Sequence, residues 1–346
     1  MRAVIAAALL LAACSGAAVP SPTPAASAAP QATRYGVAGL IAPHFPAPVP
    51  ADYETLYTSL ASTGGALGLY TAWSDAGAEG KPPAAIAAAT AAAAKYRFGP
   101  LVIALGVTAD APGGVRSTVD WNGPQRDRFV AAATAVAKER KPEMLALGVE
   151  SNRLWMSDPQ AFDGFVTGYA EAYDAIKKVS PSTRVFTIFQ LELMRGSAYL
   201  MTGKSEPAAP QWPLLEKFAG RLDVAGFTTY PFLDFRTPAE IPDDYYADAA
   251  RRAGVPVAFT EIGWPSADLG GAAAGSPYGG TPEEQADFAR RFFALTKSLD
   301  VAAALWSFPN DLGSGGPRTF ASVGLRENDG TAKPALDVWR SGIATK

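Results

Sequence analysis

One histidine and one cysteine serve a chain of 346 residues, and those two scarcities remove whole classes of chemistry. A single cysteine, Cys14, leaves no partner for an intrachain disulfide. With one His and one Cys, only oxygen ligands remain for a metal, so neither a metal nor a cofactor is expected. No Gly-x-Ser-x-Gly elbow accompanies His44, which argues against a serine-type triad. Nor does a Gly-rich dinucleotide turn follow the first β-rich run. The 30 Lys and Arg nearly balance the 33 Asp and Glu, giving a net charge of −3, and they are scattered, so no patch addresses nucleic acid. Beyond the amino terminus no apolar run is long enough to cross a bilayer.

The amino terminus itself reads as an address. Met1-Arg2 opens a short apolar run over 3–12, followed by Ala13-Cys14-Ser15-Gly16: a positive start, an apolar stretch and small residues at a cleavage point. Leu11-Ala12-Ala13-Cys14 resembles the bacterial lipoprotein box, which implies a signal peptide over 1–13, lipidation of Cys14 and a membrane partner reached through that lipid. An ordinary signal peptide with a chance Cys is the alternative. Residues 14–33 are nearly all Ala, Pro, Ser, Thr and Gly, the composition of an extended tether. The expected protein is exported, anchored to the periplasmic or surface face of the envelope, and monomeric.

Residues 34–346 carry eight β-rich runs: 35–45, 66–74, 101–110, 144–152, 184–191, 222–230, 256–264 and 301–308. Helical patterns alternate with them, at 53–62, 83–96, 125–141, 159–179, 245–253 and 282–299. The start Thr281-Pro282-Glu283-Glu284 shows why such stretches coil: Thr caps free amides, Pro suits the first position, and acids favour the positive helix end. Strict alternation forces a parallel sheet, and the count of eight predicts a single-domain (β/α)8 TIM barrel over a doubly wound open sheet. A barrel places its active site at the carboxyl ends of the strands.

Side-chain parity tests which residues face inward. On the fourth run Met144, Ala146, Gly148 and Glu150 share a face; on the seventh Val257, Phe259 and Glu261 do. Val224, Gly226, Thr228 and Tyr230 form the corresponding row on the sixth, and Ala302, Ala304 and Trp306 on the eighth. Two glutamates ending inward rows suit hydrolysis of an acetal bond between sugars, where one acid protonates the leaving oxygen and a second carboxylate attacks directly or through water.

Here the chain resembles clan A glycoside hydrolases, barrels with the acid/base on the fourth strand and the nucleophile on the seventh, which implies those roles for Glu150 and Glu261. Phe259-Thr260-Glu261-Ile262-Gly263-Trp264-Pro265-Ser266 is close to the nucleophile motif of endo-β-1,3-glucanases and arabinogalactan endo-β-1,4-galactanases. Thr229-Tyr230-Pro231-Phe232 looks like the sixth-strand galactanase motif, whose Tyr bonds the nucleophile. Trp306 falls where the clan places an aromatic floor, and 148–155, including Trp155, is similar to the galactanase acid/base segment. Two departures stand out: Val149 replaces the Asn that precedes the acid/base, and 69–75 offers no Arg on the second strand.

Further candidates for sugar contacts are Asn152, Trp264, His44, Asp110 and Gln190; packing or loop capping is the competing role for each, as packing is for Tyr230, Trp306 and Trp155. Trp73 and Trp121 are weighed the same way. Glu192, two residues past Gln190, is the rival acid. The sequence thus predicts a retaining β-glycoside hydrolase with a carbohydrate substrate, or, alternatively, a carbohydrate-binding lipoprotein without turnover.

Overall fold

The structure is a computed structural model that describes residues 32–39, 44, 49–75, 84–99, 101–112, 114–196, 209–267, 280–312 and 318–345. Cys14, the signal segment and nearly all of the tether lie outside them, as do parts of the loops at 40–48 and 197–208. Among the described residues no helix is long and apolar enough to cross a membrane, and no cluster of three or more His, Cys, Asp or Glu could hold a metal.

Nine strands form one parallel sheet: β1 (Arg34–Ala38), β2 (Ala66–Ala72), β3 (Leu101–Gly106), β6 (Met144–Leu147), β7 (Arg184–Phe186), β8 (Ile188–Gln190), β9 (Ala225–Thr229), β10 (Val257–Ile262) and β11 (Val301–Trp306). β4 (Thr108–Ala111) and β5 (Gly114–Ser117) make a separate antiparallel hairpin. The sheet runs β7-β6-β3-β2-β1-β11-β10-β9-β8, and its two ends are consecutive in the chain with only Thr187 between them. β7 and β8 are therefore one strand interrupted at Thr187, and the sheet closes as an eight-stranded barrel. The predicted third run divides into β3 and the first arm of the hairpin.

Helices α1 (Pro50–Ser59), α2 (Ala84–Tyr96), α3 (Pro124–Arg140), α4 (Ser151–Ser157), α5 (Pro159–Val179), α6 (Leu191–Arg195), α7 (Tyr245–Ala253), α8 (Pro282–Leu295) and α9 (Pro334–Ala344) complete the fold. The start of α8 is built as its sequence implies: Thr281 Oγ1 accepts from the Glu284 N–H (3.1 Å) while Glu284 Oε2 accepts from the Thr281 N–H (2.9 Å). α9 was not anticipated, although Lys333-Pro334 is a helix start.

Apolar side chains divide into two layers. The barrel interior combines alanines, among them Ala66, Ala104, Ala146, Ala258 and Ala303, with the larger Met144, Phe186, Ile188 and Leu305 in one cluster. The larger cluster lies between strands and helices and holds most of the aromatic rings. This division corrects the parity reading on two strands. Val257 and Phe259 face outward, Phe259 packing on Tyr246 and Phe292 at 4.9 and 5.4 Å between ring centroids. Pairing with β9 skips a residue between Phe259 and Glu261, so Thr260 is an extra residue, a bulge that rephases the strand. Glu261 reaches the interior because of that bulge. On β11 the pairing with β10 shifts past Ala302, leaving Ala303 and Leu305 inside and Ala304 and Trp306 on the helix side.

Candidate active site

The fourth barrel strand ends in a strained turn. Gly148 has φ +84°, and a Cβ there would stand 2.7 Å from Phe165 Cζ, so the position suits only glycine. Glu150 follows with φ +47° and ψ +45°, a left-handed conformation uncommon outside glycine and concentrated at functional sites. The turn is held because α4 begins directly after it. Asn152 Oδ1 accepts from the Gln190 N–H (2.8 Å), and its Nδ2 donates to the Gln190 carbonyl (3.0 Å) and to Gln211 Oε1 (2.9 Å). These bonds clamp α4 to the end of the fifth strand.

Glu150 receives two donors: Thr228 Oγ1 on Oε1 at 2.8 Å and Arg153 Nη1 on Oε2 at 3.0 Å. Thr228 is also the register partner of Glu261 on the adjacent strand, so one residue of β9 links the two carboxylates. Tyr230 donates its phenolic proton to Glu261 Oε2 at 2.6 Å, with Ser307 Oγ 2.8 Å from the same phenol. Tyr70 bonds the Thr260 carbonyl (2.9 Å) and lies within hydrogen-bonding reach of the Glu261 carboxyl. Burial, and next the charge of Glu150, push Glu261 up to about 7, against the opposing pull of Tyr230, Tyr70 and Arg153. Burial and Glu261 raise both phenols far above their ordinary range, so they stay protonated donors.

Both glutamates open into a cleft of about 360 Å³, also lined by Asp110, Val149, Arg153, Tyr230, Leu233, Phe308, Thr319 and Phe320. Its aromatic wall is Phe320, edge-on to Tyr230 at 4.8 Å, with Phe308 behind it. The volume suits a sugar-sized ligand.

No protein-family model matches the sequence, and no curated protein does either. Solved structures match by shape. A family 5 glycoside hydrolase from Streptomyces cattleya, in complex with Manβ1-4GlcNAc, aligns at TM-score 0.58 and 15% identity, over 83% of this chain and 73% of its own. A family 39 glycoside hydrolase from Bacteroides cellulosilyticus aligns at 0.56 and 18%, over 84% and 60%. A β-1,3-glucanosyltransferase from Rhizomucor miehei aligns at 0.54 and 17%, over 87% and 96%. The fold is a (β/α)8 barrel like those of these structures. At these identities the likeness concerns the fold.

Of the residues singled out in the sequence, the structure brings Glu150, Glu261, Tyr230 and Asp110 to one cleft. Others it places elsewhere. Trp306 is wholly buried on the helix side, packed against Trp339 (5.5 Å) and bonded through Nε1 to the Val323 carbonyl (2.8 Å), so it is no floor for a sugar. Trp264 is buried and stacked on Phe288. Asn152 and Gln190 are buried and bonded internally, Gln190 capping α6 through the Leu193 N–H (2.6 Å). Trp155 packs against the core, and Trp73 and Trp121 bond Thr118 and Ser117 beside the hairpin. The ring of His44 is 58% exposed and its Nδ1 lies 2.9 Å from Asp52, which ties it to the start of α1.

Glu192, the rival acid, is 0% exposed. It accepts from Thr229 Oγ1, the Tyr230 N–H and Tyr245 Oη, each at 2.9 Å, and from Gln190 Nε2 at 2.5 Å. Burial, with the charge of Asp234, raises it to about 8. An enclosed carboxyl cannot meet a substrate; this one anchors the backbone of Tyr230. Sequence reasoning missed Tyr70, Arg153, Phe308 and Phe320, and placed Thr228 on the inward row without giving it a role. Arg153 carried a readable signal, since a cation three residues after an acid at the start of a helix is close enough in the chain to pair with it.

Proposed function

We propose that the protein is a retaining β-glycoside hydrolase acting on a β-linked polysaccharide or oligosaccharide outside the cytoplasm. The observation that carries this reading is the pairing of Glu150 and Glu261 in one cleft, with Tyr230 donating to Glu261 at 2.6 Å. Glu261 attacks the anomeric carbon and forms a glycosyl-enzyme while Glu150 gives its proton to the leaving oxygen. Water then enters, Glu150 takes its proton, and the oxygen displaces Glu261 from the same carbon, restoring the starting configuration. Tyr230 fixes one oxygen of Glu261, which orients the carboxylate for in-line attack. The test is hydrolysis of a panel of β-linked glycans: Glu150→Gln and Glu261→Gln each abolish nearly all release of reducing ends while preserving the fold, and full activity in either variant refutes the assignment. Export and anchoring through Cys14 belong to the same proposal; fatty-acid labelling that persists in Cys14→Ser would refute the anchor.

A second reading, a carbohydrate-binding barrel without turnover, draws on Val149, which lines the cleft where a hydrogen-bonding side chain would serve a sugar hydroxyl, and on the absence of a cation from β2. Calorimetric binding of an oligosaccharide that is never cleaved supports it, and steady product formation excludes it.

A further inference from the structure

Three carboxylates line the cleft, Asp110, Glu150 and Glu261, and Arg153 is the one cation among its described lining residues. Its placement is constrained from both ends. The Arg153 N–H donates to the Glu150 carbonyl (2.8 Å), closing the first turn of α4, and the neighbouring Asn152 locks that turn to the fifth strand. From there Nη1 reaches Glu150 Oε2 at 3.0 Å and Nη2 lies 3.5 Å from Asp110 Oδ1. Asp110 is 90% exposed, so its attraction is weak and it steers the guanidinium without fixing it. Among the described residues, the groups acting on Glu261 are Tyr70 from β2, Glu150 from the turn after β6, Tyr230 from the end of β9 with Ser307 behind it, and Arg153 from α4. Of these only Arg153 is positive, and β2 delivers a phenol.

We propose that Arg153 is a positioning residue shared by the two glutamates: bound to Glu150, it offsets the negative charge that Glu150 presents to Glu261, so that both carboxylates can occupy one cleft. A bare carboxylate disfavours charge on a neighbouring one, and a guanidinium held on the first oxygen relieves that repulsion. This assigns to α4 an electrostatic role that β2 does not fill, and it rests on the hydrolase reading above.

The test uses Arg153→Gln, Arg153→Met and Arg153→Lys, with two readouts. The first is the pH dependence of kcat/KM. The second is the 13C carboxyl titration of Glu261 in the substrate-free protein, its signal identified by loss in Glu261→Gln. Removing the charge should raise the Glu261 midpoint, and with it the limb of the kcat/KM profile near pH 7, by about half a pH unit or more. Arg153→Lys should restore most of the difference, and Arg153→Met reads the same loss of charge if the Gln variant does not fold. A midpoint unchanged from wild type, or a loss of activity equal at every pH, overturns the proposal. If wild type cleaves no glycan, the hydrolase reading fails, while the Glu261 titration still decides the role of Arg153.

Discussion

Replacing Glu261 by Gln should make the protein more stable at neutral and alkaline pH while removing its activity. Glu261 ionises near 4.5 in an unfolded chain and at about 7 in the folded one, because burial and the charge of Glu150 oppose its negative form. Below pH 4.5 the carboxyl is protonated in both states and costs the fold nothing. As pH rises from 4.5 to 7 the unfolded chain releases the proton first, so stability falls, and above about 7 the loss is complete. The rise from 4.5 to about 7 corresponds to about 3 kcal/mol at roughly 1.4 kcal/mol per pH unit. Gln has nearly the same shape, cannot ionise, and keeps an oxygen to accept from Tyr230. Urea unfolding of wild type and Glu261→Gln, at pH 4 and pH 8.5, isolates the carboxyl together with its coupling to Glu150, because titrating groups remote from it cancel in the difference. The two proteins should be equally stable at pH 4, and the variant about 3 kcal/mol more stable at pH 8.5. A difference that does not change with pH, or a wild type more stable at pH 8.5, refutes the placement of Glu261 in a desolvated site beside a second carboxylate.

Three other outcomes follow from named contacts. The kcat/KM profile should carry a limb near pH 7 that belongs to the coupled glutamate pair; a profile flat from pH 5 to 8 contradicts this. Tyr230→Phe removes a charge-assisted bond of 2.6 Å and should lower kcat/KM by roughly 10- to 100-fold near pH 7, with circular dichroism unchanged. Lys333→Met breaks a buried ion pair in which Nζ lies 2.6 Å from both oxygens of Asp311 and 2.7 Å from Ser266 Oγ, fastening the loops after β10 and β11; unfolding should show a loss of about 3–5 kcal/mol.

The barrel was legible because its signal repeats: eight alternations survive small errors at any one boundary, and each strand and helix carries its own local chemistry. The site was legible where a short motif fixed it, as around Glu261, and where parity held, as along Met144 and Ala146 on β6. Parity failed on β10. Thr260 is an extra residue in the pairing, so a strict period of two put Val257 and Phe259 inside, whereas they pack on the helices. Glu261 was assigned the correct face through an incorrect row. The same kind of shift at Ala302 turned Trp306 away from the cleft and left Phe308 and Phe320 to form its wall. A bulge leaves no reliable mark in sequence, because any residue with ordinary backbone angles can supply one. Asn152 and Gln190 take the competing role: polar side chains at strand ends must satisfy free backbone groups first, and Asn152 satisfies the Gln190 N–H and carbonyl while Gln190 caps the Leu193 N–H. Tyr70 stands on β2, the strand on which the resemblance implied an Arg, and a lone phenol on a strand carries no motif that marks it as a partner of Glu261.

The central claim is that Glu261 forms a covalent bond to sugar. Incubation with an activated 2-deoxy-2-fluoro β-glycoside, which slows release of a glycosyl-enzyme, followed by proteolysis and mass spectrometry, tests it directly. The account predicts one added fluoroglycosyl group, on the peptide containing Glu261 and absent from Glu261→Gln. An adduct on Glu150, Glu192 or any other residue, or continued turnover of the parent glycoside with no adduct formed, would contradict it.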